Sequence, residues 1–281
     1  MMISSAPRSV QEQCAAWRKA GQSVALVPTM GFFHQGHVSL MQAAREKADK
    51  VVVSLFVNPS QFGPAEDLGS YPRDPERDRA MAGENGVDLL FTPSSREMYP
   101  LHFGTWVSVP SLSETLCGKT RPTHFKGVCT VVLKLFNICT PDFAFFGEKD
   151  WQQLTIIKRM AEDLNLPVQI VGGPLVREAD GLAMSSRNSY LTPKERFAAA
   201  QISQGLHAAR ARFAAGERSA AKLEKCILDY WLDNLPQGRV DYLELVHPDT
   251  LEAQPLARTD TRMITAVYLG KARLIDNMSL G

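Results

Sequence analysis

Three short apolar runs rich in β-branched residues, "SVALV" at 23–27, "KVVVSLF" at 50–56 and "VDLLF" at 87–91, alternate with helical periodicity at Ser9 to Ala20, Val38 to Ala48 and Pro75 to Asn85. A run that is apolar throughout has no face to give to water, so such strands are buried on both sides and belong to a parallel sheet with helical crossovers. A second round repeats the pattern. "GVCTVVLKLFNIC" reads as an apolar helix, "DFAFF" as a strand, Lys149 to Leu164 as a helix and "VQIVG" as a further strand. This βαβα order predicts an α/β chain with a doubly wound parallel sheet. Ser9 and Glu12 have the spacing of a capping box for the first helix, and Gly21 that of its C-terminal stop.

The texture changes near residue 175. "KERFAAAQISQGLHAARARFAAG" and "SAAKLEKCILDYWLDNL" read as two amphipathic helices, followed by strand-like "VDYLELV", "RMITAVYL" and "ARLIDNM". Helices followed by clustered strands predict a smaller C-terminal α+β domain, so we expect one domain over 1–175 and a second over 176–281.

The net charge of +1 gives no general reason to expect nucleic acid or a membrane surface as partner, so an anionic ligand must be caught by local groups. Cys14, Cys117, Cys129, Cys139 and Cys226 form no C-x-x-C pair, which suits reduced core thiols. The first residues carry no apolar signal-like run, and no stretch of about 18 apolar residues spans a bilayer. These features together predict a cytoplasmic protein.

Chemistry is concentrated in three stretches. "PTMGFFHQGH" follows the first strand and runs into a helix, and it holds two of the chain's six histidines, His34 and His37. A helix N-terminus beyond the carboxyl end of a parallel strand offers free N–H groups to a phosphate, and two imidazoles there would stabilise charge developing on a phosphoryl oxygen. The plain alternative is a pair of ordinary helix-start residues. "DFAFFGEKDWQQL" places Lys149 and Asp150 beyond another strand, for a phosphate and a ribose hydroxyl respectively, or as a solvated pair at a helix start. "READGLAMSSRNSYL" supplies hydroxyls and a planar cation suited to a triphosphate, or is simply a polar loop.

Two further stretches stand beside these. "FVNPSQF" carries Asn58 and Gln61, uncharged groups able to hold a hydroxyl or carboxylate, or to make a turn around Pro59. "CGKTRPTHFKGV" gathers Lys119, Arg121, His124 and Lys126, and reads either as a mobile basic flap or as an exposed loop.

In their joint order "PTMGFFHQGH", "FVNPSQF", "YPRD", "RPTHFKGV", "FFGEKDWQQL" and "READGLAMSSRN" closely resemble the pantothenate synthetases, ATP-dependent ligases that join pantoate to β-alanine. The resemblance runs from Val27 to Leu191 and more loosely through "YLELVHPDTLE". It implies a Rossmann-like nucleotide-binding domain, ATP as substrate with Mg²⁺ carried mainly on its phosphates, a homodimer, and a pantoyl adenylate intermediate. It further implies that His34, His37, Lys149 and Arg187 are catalytic. ATP would contact these together with Met30, Gly147, Asp150, Val176, Met184, Ser185 and Ser186. Gln61 and Gln153, with Asn58, would hold pantoate or β-alanine.

Two departures from the family pattern matter. Trp151 stands where a tyrosine is usual, and Arg77 stands in "YPRDPERD" where a carboxylate occurs in some members, leaving Asp78 as the one candidate metal ligand. Because the histidine pair is shared with other enzymes, a nucleotidyltransferase acting on another small acceptor is the alternative. A noncatalytic nucleotide-sensing module is a third.

Overall fold

The computed structural model describes residues 1–64 and 66–281. Six strands, β1 (Met2–Ser4), β2 (Val24–Thr29), β3 (Lys50–Leu55), β4 (Leu89–Phe91), β5 (Phe143–Gly147) and β6 (Gln169–Gly173), form one sheet in the order β1-β4-β3-β2-β5-β6. Every pairing in it is parallel. Side chains alternate across the sheet, as a pleated strand requires. Val24, Leu26, Val52, Phe91 and Phe146 enter one buried cluster, whereas Ala25, Val27, Val51, Val53, Leu90 and Phe145 enter another on the opposite face.

Helices α1 (Pro7–Lys19), α2 (Gln35–Lys47) and α3 (Pro75–Glu84) connect the first strands. Short helical turns follow at α4 (Ser95–Met98), α5 (Pro110–Ser113) and α6 (Cys117–Thr120), then the long α7 (His124–Cys139) and α8 (Trp151–Asp163). From β2 the chain winds outward through β3 to β4, and later from β5 outward to β6. The winding direction therefore reverses between the neighbours β2 and β5. The carboxyl ends of those two strands open a crevice, the usual ligand position in such a sheet.

The C-terminal part holds α9 (Pro193–Ala199), α10 (Gln201–Ala214), α11 (Ala220–Asn234) and an antiparallel sheet of β7 (Arg239–Val246), β8 (Arg262–Leu269) and β9 (Ala272–Ser279). It has its own buried cluster, drawn from Leu182 to Leu280. The α/β class with a smaller α+β part is thus observed.

The structure differs from the sequence reading at four places. The edge strand β1, paired with β4, has no counterpart in the sequence pattern, because three residues are too few to show periodicity. Helix α1 begins earlier than Ser9: Ala6 is its N-cap and Pro7 its first residue, with Pro7 in place of a side-chain cap, and Glu12 pairs with Arg8 at 3.0 Å. The single helix expected over 194–216 is two, parted at Ala200, where the carbonyls of Gln201 and Ile202 accept from the indole N–H of Trp231 at 3.0 and 3.3 Å. Finally, "CGKTRPTHFKGV" is largely helical rather than an exposed loop, although Lys119, Thr120, Pro122, Thr123 and Lys126 are exposed. It forms α6 and the start of α7, with His124 buried and Arg121 ion-paired to Glu66.

Candidate active site

Strand β2 delivers "PTMGFFHQGH" to the crevice through a tightly held turn. Gly31 and Phe32 both have positive φ, 86° and 52°. A bulky residue in that region is strained by about 1–3 kcal/mol and persists only where its surroundings hold it. The holder is Asp78, on α3. Its two carboxylate oxygens accept the N–H groups of Phe32 and Phe33, each at 2.7 Å. Gly31 cannot be replaced without disturbing this arrangement, since a Cβ there would lie 2.9 Å from Asp78 Oδ2.

His34 is the N-cap of α2, and the two histidines build a reciprocal capping box. Nδ1 of His34 accepts from the N–H of Gly36 at 3.2 Å, and Nδ1 of His37 accepts from the N–H of His34 at 3.3 Å. A ring whose Nδ1 accepts carries its proton on Nε2 when neutral, so both rings keep Nε2–H as a free donor. The ring centroids are 4.1 Å apart. Burial, with Lys149 adding to it, pushes the pKa of His34 down to about 4. Burial, then His34 and Lys149, put His37 well below the usual imidazole range. Both rings are therefore neutral donors at pH 7. The helix-start reading and the phosphate reading are not exclusive, because the first fixes the tautomer that the second needs.

His34 lines a cavity of about 130 Å³ together with Met30, Gly147, Val176 and Met184. Met184 and Val176 are tied by a backbone bond of 3.0 Å. Ser185, Ser186, Arg187, Lys149 and Asp150 complete the wall, so the structure brings together all but one of the residues expected around ATP. The exception is His37. It packs behind His34, with Phe33 5.4 Å away, and lines neither this cavity nor the larger one beside it.

Lys149 and Asp150 lie on a three-residue 3₁₀ turn beyond β5, with Lys149 Nζ 3.2 Å from Asp150 Oδ2. A Cβ at Gly147 would meet nothing within 4 Å, so the end of β5 opens onto the smaller cavity. Ser186 is buried and donates to the carbonyl of Phe32 at 3.2 Å, joining the serine segment to the histidine turn. Ser185 accepts from the N–H of Arg187 at 3.2 Å. Arg187 itself is engaged by Asp67.

The larger cavity, about 770 Å³, shares Met30, Lys149, Asp150, Ser185 and Arg187 with the smaller one. Gln61 and Gln153 both line it. Asn58 does not: it is 1% exposed, and its amide donates to Gln61 Oε1 at 3.1 Å and to the carbonyl of Gly127 at 3.2 Å. Its oxygen accepts from Ser60 and from the hydroxyl of Tyr99, both at 2.8 Å, so both ends of the Asn58 amide are engaged by protein groups, Gln61 among them. Gln152, beside Gln153, touches the same cavity but has its amide engaged by Cys117, Leu112 and Thr115.

Asp78 is 1% exposed and each of its oxygens already accepts a backbone N–H, so the structure shows it holding the histidine turn. Among the described residues no group of three or more His, Cys, Asp or Glu side chains could hold a metal ion.

Sequence reasoning missed several cavity residues. Tyr242, Tyr268 and Arg273 come from the C-terminal sheet and Asp67 from the first half, whereas Arg121 and His124, read above only as flap or loop residues, also line the cavity. Burial lowers the pKa of His124 to about 3, and Arg121 adds to this; its Nδ1 lies 2.8 Å from the carbonyl of Gln61. Only the arginine and histidine of "RPTHFKGV" carried any signal in the sequence. Strand pairing alone brings the tyrosines and Arg273 to the site.

The family model for pantoate-beta-alanine ligase matches residues 2–279 of this chain. A pantothenate synthetase of Nitratidesulfovibrio vulgaris (strain DSM 19637 / Miyazaki F) is 58% identical over 282 residues, covering 100% of this chain and 99% of the relative. One from Oleidesulfovibrio alaskensis is 57% identical, with 100% of both covered. Among solved structures, a pantothenate synthetase from Thermus thermophilus aligns with a TM-score of 0.94 at 45% identity, covering 100% of this chain and 99% of that one. A pantoate-beta-alanine ligase from Francisella tularensis, complexed with beta-gamma ATP and beta-alanine, aligns with a TM-score of 0.82 at 31% identity, covering 100% and 98%.

Proposed function

The chain belongs to the pantoate–β-alanine ligase family and is an ATP-dependent carbon–nitrogen ligase of pantothenate biosynthesis; from that premise we propose that it works in two half-reactions in the crevice beyond β2 and β5. In the first, the carboxylate of pantoate attacks the α-phosphorus of ATP and the bond to pyrophosphate breaks, giving pantoyl adenylate. In the second, the free amine of β-alanine attacks the acyl carbon, AMP leaves, and the nitrogen gives up a proton to form the amide of pantothenate.

Carboxylate and triphosphate are both anions, so the first step needs positioning and charge neutralisation more than a strong base. Lys149 supplies a cation and the His34 and His37 Nε2–H groups supply neutral donors to the phosphates. Ser185, Ser186 and Arg187 hold the phosphate tail from the facing segment. The neutral amides of Gln61 and Gln153 orient pantoate in the larger cavity without repelling it. Mg²⁺ comes with the nucleotide. His37 reaches the phosphate only after a small shift of the turn, because it now stands behind His34.

The observation that carries this reading is the shared wall. Lys149, Asp150, Ser185 and Arg187 face both cavities, so a phosphate bound there lies between a nucleoside in the smaller and an acid in the larger. Pantoate-dependent exchange of labelled pyrophosphate into ATP, run without β-alanine, tests the first half-reaction; active, folded protein that gives no exchange rejects the adenylate route. The same reading, after the family, places the enzyme in the cytoplasm as a homodimer with the 1–175 and 176–281 parts as its two domains. Light scattering giving the mass of one 31.1 kDa chain rejects the dimer.

A further inference from the structure

The turn that carries Lys149 is only three residues of 3₁₀ helix, too short to hold its own place, and its support comes from the other end of the chain. Asn277, on β9, is 3% exposed and donates its amide Nδ2 to the carbonyls of Glu148 and Lys149, each at 2.9 Å. One amide has two hydrogens, and both are directed at this turn. The opposite side of the amide is fixed as well. Asn277 Oδ1 accepts from Nη1 of Arg262, whose guanidinium stacks on the ring of Trp151, 3.3 Å from its centroid.

The next residue on the same strand serves the other phosphate-facing segment. Asp276, 2% exposed, accepts two hydrogen bonds from Arg177, at 2.7 and 2.8 Å. Arg177 opens the hairpin-like stretch that leads to Ser185, Ser186 and Arg187, and it bridges to Ala183. The backbone N–H of Asn277 also bonds Asp276 Oδ1 at 2.7 Å, which fixes the Asp276 carboxylate against its own strand.

We propose that Asn277 is a positioning residue for the adenylation half-reaction: it sets the place of Lys149 by holding the turn's carbonyls from the C-terminal sheet, and Arg262 sets the orientation of its amide. This rests on the reading of Lys149 as a phosphate ligand. Displacing a positioned group by about 1 Å can cost a hundredfold in rate.

The test uses the full-length enzyme and pantoate-dependent ATP–pyrophosphate exchange. Asn277→Ala removes both donors. Asn277→Asp keeps the shape but sets a carboxylate against two carbonyl oxygens, so it should do no better than alanine. Each is expected to lower kcat/KM for ATP by about 10- to 100-fold. Because the effect passes through Lys149, adding Asn277→Ala to Lys149→Ala should change the residual rate by less than about twofold, a non-additivity that a general loss of stability would not produce. Wild-type exchange in Asn277→Ala, or a loss that multiplies that of Lys149→Ala, overturns the inference and leaves the role of Lys149 standing. Unchanged exchange in Lys149→Ala overturns that role and the inference with it. Should Asn277→Ala melt below the assay temperature, Arg262→Gln reads the same contact without emptying the core; its loss must also vanish in the Lys149→Ala background, and additivity there overturns the inference.

Discussion

Arg187 meets Asp67 through two parallel hydrogen bonds, Nε to Oδ2 and Nη2 to Oδ1, both 2.9 Å, so the cation proposed to hold the phosphate tail is already paired with a carboxylate of the same chain. The hydroxyl of Tyr190 adds a third bond to Asp67 at 3.1 Å. Burial is the largest single influence and acts to raise the Asp67 carboxyl, but the hydrogen bond and charge of Arg187, joined by the Tyr190 hydroxyl, together outweigh it and hold the group below its ordinary range. A phosphate that takes Arg187 must displace a bidentate partner.

Asp67→Asn keeps the shape and removes the competing charge. ATP should then bind without the cost of breaking the pair, and KM for ATP should fall by about 3- to 10-fold with a smaller change in kcat. Initial rates against ATP concentration check this. A rise in KM would instead assign Asp67 to holding Arg187 in its binding position.

His37→Ala should lower kcat by roughly 10² to 10³ if its Nε2–H acts on the transition state. The same change removes the acceptor for the N–H of His34, and losing a helix cap costs about 1 kcal/mol. Steady-state kinetics and a thermal melt on one sample separate the two effects. Turnover near that of wild type would leave His37 with the cap alone.

Acid should destabilise the fold through its buried imidazoles. His34 and His124 have folded-state pKa values of about 4 and about 3, against 6.5 for an ordinary imidazole. Between pH 6.5 and 4 the unfolded chain takes up protons that the folded chain refuses, so stability rises with pH there. The contribution is complete above about pH 7 and is lost as pH falls from 6.5 toward 4, with a size on the order of 1–3 kcal/mol per ring. Urea unfolding at pH 7 and pH 5 measures it. His34→Gln and His124→Gln should each flatten the slope, and an unaltered slope in both rejects the assignment.

Asp78→Asn should loosen the histidine turn, because an amide can accept only one of the two N–H groups while presenting an NH₂ to the other. The expected loss is about 1–3 kcal/mol, with lower activity. The Mg²⁺ concentration for half-maximal activity should not move. A large shift in it would return Asp78 to the metal.

Trp151→Tyr installs the residue usual in the family. In this chain the indole N–H donates to the carbonyl of Pro248 at 2.9 Å, and the ring lies under Arg262. A phenol keeps a ring for the guanidinium but moves its polar atom, so about 1 kcal/mol of stability should be lost. A melt unchanged from wild type would show that the tyrosine finds an equal partner.

The sheet was legible because its strands are buried on both faces, and runs such as Val51 to Val53 have no other stable place in a folded chain. Met2–Ser4 escaped because an edge strand of three half-exposed residues has neither length nor pattern. The residues lining the smaller cavity were legible in kind, since histidine, lysine and serine clusters at strand ends advertise chemistry, but their partners were not. Asp67 sits 120 residues before Arg187, and nothing in "PAEDLGS" points to it. Asn58 read as a ligand group because an amide at a strand end suits one, whereas its 1% exposure comes from the packing of α7 over it. His34 and His37 read as alternatives between capping and catalysis, because only geometry could show one ring atom capping and the other left free.

The bond from Asn277 to the carbonyl of Lys149 spans 128 residues and gives the site an order of manufacture. A ribosome makes the Lys149 turn and the Arg187 segment first, and at about 5–20 residues per second the strand that steadies the former follows roughly 6–25 s later. Throughout that interval the nascent chain carries the Lys149 turn, the proposed phosphate ligand, without its anchor. A polypeptide interrupted before β9 would therefore hold nearly every group named here for ATP and lack the strand that holds the Lys149 turn in place.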